Sequence, residues 1–343
     1  MTRTRLVLSL VIAWALLGAG APAWGRTSAP PTGSFTALSY NVAGLPEPLS
    51  GSEPSTNSPL ISPLLNDYDL VLLQEDWVDV LAQHGARPAG TEGIPRTGYH
   101  DLVVGAALHP HRSVPMSSPP PATNTVGRLP SGPPLSGDGL NHLSDFPFGD
   151  VQRVMWETCH GELHITAIEE VADAAGLPDP TGDDIDGGSA DCGAQKGFSV
   201  TTVELAPGVV ADVYNLHADA GSHPNDIEAR RQNFVQLASF IAAHSHDRAV
   251  ILGGDTNLRT GPGARDDQTW TTFLDDTGLT DVCEVVDCGA DAGVIDKFAF
   301  RSGRDTKIVA QSHQFEREKF VRDDGEPLSD HDALAVQFRW IAS

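Results

Sequence analysis

Several apolar, strand-like segments of this chain run directly into side chains that can bind a metal ion or move a proton. The residues at these strand ends are Asn41, Glu75, His217, Asp255, Asn257, Asp330 and His331. A single polar strand end is common where a chain leaves its core. Five strand ends that together supply amide, carboxylate and imidazole groups indicate one site, assembled along one edge of a sheet. The pattern therefore predicts an enzyme.

Two of these residues predict a site for a hard cation. Glu75 follows the almost continuously apolar segment DLVLLQ, so its carboxylate is expected to be buried or nearly so. An unpaired buried charge is costly, and Mg²⁺, Mn²⁺ or Ca²⁺ removes that cost because these ions prefer oxygen ligands. Asn41, which ends FTALSYN, offers a second oxygen. The alternatives are that Glu75 is exposed at the start of a helix and that Asn41 lies in a turn.

Asp255 and Asn257 lie two residues apart after the apolar strand AVILGG. If the chain stays extended, both side chains point to the same side. A carboxylate and an amide aimed together can hold a phosphate oxygen, a divalent cation or an attacking water. The preceding glycines let the backbone approach closely, because glycine has no Cβ. The alternative is a simple turn, since G-D-x-N is also good turn chemistry.

His217 and His331 are the candidates for moving protons. Both stand at strand ends beside acids: His217 lies near Asp219, and His331 lies between two aspartates. A carboxylate partner fixes the imidazole tautomer and stabilises the protonated ring. Asp296, at the head of the strand-like VIDKFAF, is an independent candidate to orient a histidine from elsewhere in the chain.

The cysteines are expected to be structural. Four cysteines in an exported chain suggest two disulfides, with Cys283 joined locally to Cys288 and Cys159 joined to Cys192, although three connectivities are formally possible. The sequence also lacks the G-x-S-x-G, G-x-x-x-x-G-K-[ST] and H-E-x-x-H motifs. The chemistry that remains is metal-assisted attack by water on an electrophile.

Alternating apolar residues predict the elements that position these side chains. Strands are expected around 34–42, 67–75, 139–148, 151–156, 197–205, 209–217, 249–255, 294–300, 308–313 and 333–340, and helices at 77–83, 225–244 and 267–277. Residues 109–138 are rich in Pro, Ser and Gly and are predicted to form a long surface excursion.

The N-terminus has the pattern of a signal peptide. Residues 1–25 contain two arginines, a short apolar stretch and a small-residue cleavage site; the alternative is a transmembrane anchor. Residues 26–33 are expected to be a disordered leader and 34–343 a single domain. We therefore expect a secreted protein without a transmembrane segment after cleavage.

The net charge bears on the substrate. The formal charge of −24 becomes −26 when the two arginines of residues 1–25 are removed. Proteins that bind nucleic acid usually present a basic face to the phosphates, so this acidity disfavours DNA. It fits solubility in the extracellular medium.

Six motifs in order, SYN, LLQE, NLHADA, GGDTN, IDKF and SDHD, resemble the endonuclease/exonuclease/phosphatase superfamily, of which deoxyribonuclease I is the best-known member. The resemblance covers essentially all of residues 34–340. It implies an α/β four-layered sandwich, with two packed, mostly antiparallel β-sheets flanked by helices. It also implies Mg²⁺-dependent hydrolysis of a phosphoester, with Mn²⁺ or Ca²⁺ as other possible ions.

Carried over position by position, the resemblance implies the role of each residue. Asn41 and Glu75 match the residues that hold the metal, and Asp330 matches another acid of the metal or phosphate site. Asp255 and Asn257 match the pair that orients the phosphate and the attacking water. His217 matches the histidine that contacts the scissile phosphate and stabilises the leaving oxygen. His331 matches the general base, paired with Asp296.

Within the superfamily, DCGAQKGFSV followed by YNLHADAG is similar to secreted bacterial sphingomyelinase C enzymes. Lys196, in the KGF segment, and Arg230 are candidates to bind phosphate. The helical pattern at 225–244 predicts that Arg231 lies on the apolar face of that helix. The region between Asn257 and Asp296 lacks the aromatic-rich hairpin of those enzymes. Contact with a bilayer is therefore expected to be peripheral or delivered by another segment.

The sequence favours a secreted, metal-dependent phosphodiesterase with a substrate of the phospholipase C type, such as sphingomyelin. One alternative is an extracellular nuclease, which would need basic side chains beside the site. Another is a binding module that kept the fold and lost the chemistry, which would bind without turnover. The leaving group, the number of metals and the oligomeric state are not determined by these motifs.

Overall fold

The computed structural model describes residues 30–47, 50–79, 81–82, 87, 89–90, 93–117, 137–160 and 191–343. Within them, the chain from Pro31 to Ser343 forms one compact unit. The predicted signal peptide lies outside the described residues, and so does the central part, 118–136, of the predicted excursion. No helix of the described ranges is long and apolar enough to cross a bilayer.

Twelve strands are formed by the described residues. They are β1 (Thr32–Asn41), β2 (Leu70–Gln74), β3 (His111–Arg112), β4 (Asn141–Ser144), β5 (Gln152–Met155), β6 (Gly197–Ala206), β7 (Val209–His217), β8 (Ala249–Asp255), β9 (Thr280–Asp281), β10 (Asp296–Arg301), β11 (Thr306–Phe315) and β12 (Leu334–Ala342). The helices are α1 (Pro54–Leu64), α2 (His100–Val103), α3 (Asp191–Ala194), α4 (Pro224–His244), α5 (Asp267–Thr277) and α6 (Val282–Val285).

The strands form two six-stranded sheets, each of which contains a single parallel pair of strands. The first sheet has the order β11-β12-β1-β2-β4-β3, and the second has the order β5-β6-β7-β8-β10-β9. Each sheet contains one parallel pair, β1 with β2 and β7 with β8, and its other neighbouring strands pair antiparallel. The carboxyl ends of both parallel pairs lie at the same end of the molecule, because Asn41 and Asp255 come into contact there.

Three apolar clusters make the fold a four-layered sandwich. The inner faces of the sheets pack through residues such as Phe35, Leu72 and Val213. Helices α4 and α5 cover the outer face of the second sheet, where Phe234 and Phe273 are in ring contact. Helix α1, which the sequence analysis did not predict, packs against the outer face of the first sheet through Ile61. This is the predicted fold class.

Helix α4 begins at a capping box formed by His223 and Asp226, with Pro224 in its first turn. Its buried face includes Arg230 and Phe234, whereas the Arg231 side chain is 51% exposed and pairs with Glu228. The prediction that Arg231 lies on the apolar face is therefore wrong by one helical position. Arg230, not Arg231, is the arginine on the buried face.

The predicted helix at 77–83 is not formed by the described residues of that range, 77–79 and 81–82. Residues 77–79 have no regular structure, and Trp77 is buried with its carbonyl accepting a hydrogen bond from the backbone N–H of His100. Gly98 passes so close that a Cβ there would lie 2.3 Å from the Trp77 oxygen. The Trp77 carbonyl is thus satisfied by a distant part of the chain, and the Asp79 carbonyl accepts from the Ala82 N–H in a turn.

Two predicted boundaries move. Strand β1 begins at Thr32, inside the predicted leader, because Gly33 pairs with Trp340 and leaves room for its indole. His111 and Arg112, inside the predicted excursion, form edge strand β3 against β4. The remaining strands except β9, which was not predicted, the β6–β7 hairpin and the helices at 224–244 and 267–277 lie where the pattern placed them.

Candidate active site

The candidate site lies between the two sheets, at the carboxyl ends of their parallel strands. Asn41, His217 and Asp255 are the last residues of β1, β7 and β8, and Glu75 directly follows β2. Alternation along each strand places Asn41 on the same inward face as Phe35 and Ala37. His217 and Asp255 likewise share the inward faces of Val213 and Ile251. The predicted strand-end pattern therefore becomes a real convergence of side chains.

Asp255 is the centre of this cluster. Its Oδ2 lies 3.3 Å from Asn41 Nδ2, 3.3 Å from His217 Nε2 and 3.7 Å from His331 Nε2. Burial alone would raise the pKa of Asp255, but His331 and His217 outweigh it and hold the pKa well below its usual range. Asp255 is therefore an ionised carboxylate that is buried from solvent.

Glu75 reaches the cluster through an unusual backbone conformation. Its φ is 54°, in the left-handed region that non-glycine residues rarely adopt. Simple alternation after Gln74 would point Glu75 away from the inter-sheet space. The turn instead brings Glu75 Oε1 to 3.0 Å from Asn41 Nδ2 and 3.9 Å from His217 Nε2. Such strain is often stored at functional sites, and Glu75 does not begin a helix.

His331 and Asp296 form a close pair. His331 Nδ1 lies 2.8 Å from Asp296 Oδ2, and Asp296 lies directly opposite Asp255 on the neighbouring strand. Ser329 fixes the approach to β12, because its hydroxyl donates to the Asn41 carbonyl at 2.7 Å and accepts from the His331 N–H at 3.2 Å. Burial would lower the pKa of His331, but Asp296 and Asp255 raise it to about 10.

The acids next to the histidines in sequence are not their partners. Asp332 binds Arg317 at 2.6 Å, and the Asp219 side chain accepts from the backbone N–H of His160. Adjacent residues of an extended segment point in opposite directions, so sequence neighbours seldom share a site. The partner that the resemblance implied, Asp296, is the one in contact with His331.

Asn41 presents its amide group differently from the ligand role predicted for it. Its Oδ1 accepts a hydrogen bond from the Ala43 N–H at 3.0 Å, and its Nδ2 faces Glu75 and Asp255. In this orientation Asn41 holds the two carboxylates together.

Asn257 lies in a turn and also at the site. With a φ of 51° it leaves the extended conformation, and its backbone N–H donates to Asp255 Oδ1 at 3.0 Å. Its Nδ2 donates to the Ala218 carbonyl at 3.1 Å, in the loop just after His217. The two interpretations of G-D-x-N are therefore compatible.

Lys196 lies beside the site, held by a salt bridge of 2.5 Å to Asp191. Burial would lower the pKa of Lys196, but Asp191 and Glu75 outweigh it and raise the pKa. Its ammonium group is thus a permanent cation within electrostatic reach of the cluster. Asp191 was missed by the sequence analysis, although it stands in the DCGAQKGF segment that carried the resemblance.

Arg230 is not available to bind phosphate. Its Nη1 donates to the carbonyls of Asp219, Ala220 and Gly221, and its Nη2 binds Asp266 at 3.0 Å. The side chain is 1% exposed. Arg230 therefore braces the loop that follows His217, and the predicted phosphate contact is wrong.

Asp330 lies at the rim, exposed, with Oδ1 3.4 Å from the Ser329 hydroxyl. The metal-capable cluster of the described residues that includes this segment contains His331 and not Asp330. The residues Asp255, Asp296 and His331 each offer a ligand atom within 4.8 Å of the others. Adjacent positions again face different directions.

The donor set fits a hard divalent cation. Glu75, Asp255 and Asp296 are carboxylates, which such ions prefer. Asp296 Oδ1 is buried without a hydrogen-bond partner among the described residues, and burial raises the pKa of this carboxyl. A second group, Cys283, Cys288 and His313, is also compact, but its cysteines form a disulfide and cannot supply thiolates.

Both predicted disulfides are confirmed. Cys159 joins Cys192, with Cα atoms 5.2 Å apart, and Cys283 joins Cys288, with Cα atoms 5.4 Å apart. The first bond ties together the segments around Trp156 and Lys196, which border the loop after His217. Trp156 Nε1 donates to the His217 carbonyl at 2.8 Å.

In sequence, the chain is similar to a sphingomyelinase of Mycobacterium tuberculosis, with 30% identity over 327 residues that cover 91% of this chain and 54% of the relative. A sphingomyelinase of Mycobacterium bovis gives the same values. The chain thus spans about half the length of the curated relatives it matches. No family model matches the sequence.

Two solved structures show the same fold. A double mutant of beta toxin from Staphylococcus aureus, with bound magnesium ions, superposes with a TM-score of 0.54 at 15% identity, covering 89% of this chain and 99% of that one. Sphingomyelinase C of Streptomyces griseocarneus gives a TM-score of 0.53 at 17% identity, with 89% and 99% covered. The resemblance in motifs therefore extends to the whole fold.

Proposed function

We propose that this chain, which has the fold of the endonuclease/exonuclease/phosphatase superfamily and is related in sequence to bacterial sphingomyelinases, is a secreted, metal-dependent phosphodiesterase. One observation carries the proposal: Asp255 Oδ2 is approached by Asn41, His217 and His331, which come from three other segments of both sheets. A structural ion pair would not need three strand ends and the segment before β12 to converge. A centre that binds a cation and handles protons does.

Glu75, Asp255 and Asp296 are the residues that would hold Mg²⁺. When bound there, the ion would polarise a phosphoryl oxygen and neutralise the charge that develops in the transition state. A structure of beta toxin with the same fold contains bound magnesium, which supports this choice of ion. Mn²⁺ and Ca²⁺ suit the same ligand types.

The histidines and Asn257 supply the remaining functions. Asp296 fixes the His331 ring through Nδ1, so that Nε2 faces the cluster. Asp296 and Asp255 raise the pKa of His331, and a cation bound to these carboxylates would offset that effect, so that the neutral ring could accept a proton from the attacking water. His217, with Nε2 3.3 Å from Asp255, is placed to stabilise the leaving oxygen. The Asn257 amide and the Lys196 ammonium can each contact a phosphoryl oxygen.

The substrate that we propose is a phospholipid with a phosphodiester head group, such as sphingomyelin. The sequence relatives are sphingomyelinases, and the net charge of −24 disfavours long-range attraction of DNA. Two disulfides and the signal-like N-terminus support secretion. Trp270 and Phe273, the aromatic residues between Asn257 and Asp296, are buried against α4 and do not enter a bilayer.

The test compares three substrates for the purified chain: sphingomyelin vesicles, plasmid DNA and a soluble phosphodiester, each with Mg²⁺ and with excess EDTA. We expect Mg²⁺-dependent release of phosphocholine from the vesicles, abolished by EDTA and restored by added Mg²⁺. Cleavage of plasmid DNA with no release from vesicles would assign a nuclease instead. Binding to vesicles without turnover, insensitive to EDTA, would assign a non-catalytic module.

A further inference from the structure

Three polar side chains form a buried layer directly beneath the candidate site. Ser39, Gln74 and Asn215 all lie at 0% exposure and point into the space between the sheets. Ser39 and Asn215 precede Asn41 and His217 by two residues on the same strand faces, and Gln74 immediately precedes Glu75. The layer separates the apolar core from the site.

The layer joins the two sheets by hydrogen bonds. Gln74 Nε2, from the first sheet, donates to Asn215 Oδ1, from the second, at 2.7 Å, and it also lies 3.3 Å from the Ser39 hydroxyl. Asn215 Nδ2 donates back to the first sheet, to the carbonyls of Leu73 at 2.8 Å and Asn141 at 3.1 Å. Each amide is therefore bonded to the opposite sheet.

Stability alone does not explain why these amides are buried here. Burying an amide gives up its hydration, and its new hydrogen bonds return only about 1 kcal/mol net. Replacing both partners by apolar groups of the same shape is often nearly neutral or stabilising. Below the layer, the same strand faces carry Leu72 and Val213, so an apolar continuation is compatible with the fold.

Geometry gives the layer a reason. The site is divided between the sheets: Asn41, Glu75 and the approach to His331 belong to the first, while His217, Asp255 and Asp296 belong to the second. Apolar packing is not directional and tolerates small sliding of one sheet over the other. Hydrogen bonds are directional and short, so they fix the offset of the two halves.

We propose that Gln74 and Asn215 are positioning residues, whose cross-sheet hydrogen bonds set the placement of Glu75 relative to His217 and Asp255. The proposal rests on the phosphodiesterase function for its kinetic test, but it also predicts a change in cation affinity that is measured without turnover. Displacements of about 1 Å in an active site can cost on the order of 100-fold in rate. Residues that support metal ligands typically contribute 10- to 100-fold in affinity or activity, as a rough guide.

The experiment compares the wild type with the double variant Gln74→Met/Asn215→Leu, which removes both amides and keeps their approximate shapes. Three quantities are measured: the thermal midpoint of unfolding, the Kd for Mn²⁺ by calorimetry, and kcat and KM on sphingomyelin. We expect a cooperative unfolding transition with a lower midpoint, because the carbonyls of Leu73 and Asn141 lose the Asn215 Nδ2 donor. We also expect a Kd for Mn²⁺ raised by roughly tenfold or more and a kcat lowered by a similar factor. KM is expected to change less than kcat.

The matched control is His142→Leu/Ser199→Ala. His142 Nε2 and the Ser199 hydroxyl form another fully buried hydrogen bond between the sheets, at 2.8 Å. Ser199 lies opposite Asn215 on the neighbouring strand, but neither Ser199 nor His142 stands within two residues of a site residue on its own strand. Because this pair makes no side-chain hydrogen bond to the residues before Glu75 and His217, it is expected to leave the Kd and kcat close to wild type. A purely structural role for buried polar bonds would affect both double variants alike.

A folded Gln74→Met/Asn215→Leu protein with wild-type Kd and kcat would overturn the proposal. If the double variant does not fold, the single variant Gln74→Met is held to the same criteria, because Asn215 keeps its two carbonyl bonds. Failure of both to fold would also overturn it, since the residues would then be required for the fold itself. If the wild type cleaves none of the phosphodiesters, the proposed function fails, while the change in Mn²⁺ affinity still decides the positioning role.

Discussion

The imidazole of His331 is held between two aspartates of adjacent strands, with Nδ1 2.8 Å from Asp296 and Nε2 3.7 Å from Asp255. This geometry makes His331 the general base that we propose. We expect His331→Ala to lower kcat by about 10²- to 10⁴-fold, the range for loss of a positioned proton acceptor. Circular dichroism should remain near wild type, whereas the thermal midpoint is expected to fall, because the buried carboxylates of Asp296 and Asp255 lose the ring that pairs with them.

Asp296→Asn tests the other half of this pair. It should also lower kcat, since the ring would lose the carboxylate that selects its tautomer. Asp332→Asn is the matched control: Asp332 adjoins His331 in sequence but binds Arg317, and its loss should change kcat by less than about threefold. Equal losses in the two variants would contradict the assignment of Asp296 as the partner.

Glu75 is expected to dominate cation binding. Glu75→Gln keeps the shape of the side chain and removes its charge, so the Kd for Mn²⁺ should rise by about tenfold or more. Calorimetry on the substrate-free protein measures this directly. Glu204→Gln, at the exposed turn between β6 and β7, is the control and should leave the Kd unchanged. A wild-type Kd in Glu75→Gln would remove Glu75 from the metal site.

Neighbouring arginines of helix α4 are expected to behave in opposite ways. Arg230→Met leaves Asp266 as an unpaired buried charge and should destabilise the protein by about 3–5 kcal/mol. Arg231→Met breaks an exposed pair with Glu228 and should cost no more than about 0.5 kcal/mol. Urea unfolding of the two variants measures both values. A larger loss of unfolding free energy in Arg231→Met than in Arg230→Met would support the prediction that Arg231 lies on the buried face.

Much of the site could be predicted from the sequence because a strand ends where its pattern of apolar residues ends. The apolar runs before Glu75 and Asp255 identified buried strands, and two parallel pairs necessarily bring their ends to common edges. The pairing of His331 with Asp296 was different. Residue spacing suggested the adjacent acids and left Asp296 as a candidate for an unspecified histidine, and the resemblance implied that this histidine is His331.

What could not be predicted depends on local backbone turns and on distant partners. The left-handed backbone conformations at Glu75 and Asn257 change the direction of both side chains. The periodicity of apolar residues does not predict such conformations. Arg230 and Arg231 are adjacent on α4. A helical pattern with few large apolar residues cannot determine which of two adjacent positions lies on the buried face. Trp77 does not begin a helix in the described residues, because its carbonyl accepts from the N–H of His100, which is distant in sequence.

His142 makes stability depend on pH in a way that is independent of the metal site. Burial lowers the pKa of His142 from 6.5 to about 3, so the folded protein keeps the ring neutral while the unfolded chain binds a proton below pH 6.5. The stability that depends on neutral His142 is therefore complete above pH 6.5 and is lost as pH falls from 6.5 towards 3. The slope from this group reaches up to about 1.4 kcal/mol per pH unit.

The measurement is urea unfolding at several values of pH between about 7.5 and about 4.5, a range that spans the pKa of the unfolded histidine, with the wild type compared with His142→Leu/Ser199→Ala. The free energy of unfolding should fall less steeply in the variant, because its contribution from His142 is gone. His246→Gln, which replaces an exposed histidine, should retain the wild-type slope. Parallel curves for the wild type and the His142 variant would show that His142 is not held neutral in the fold.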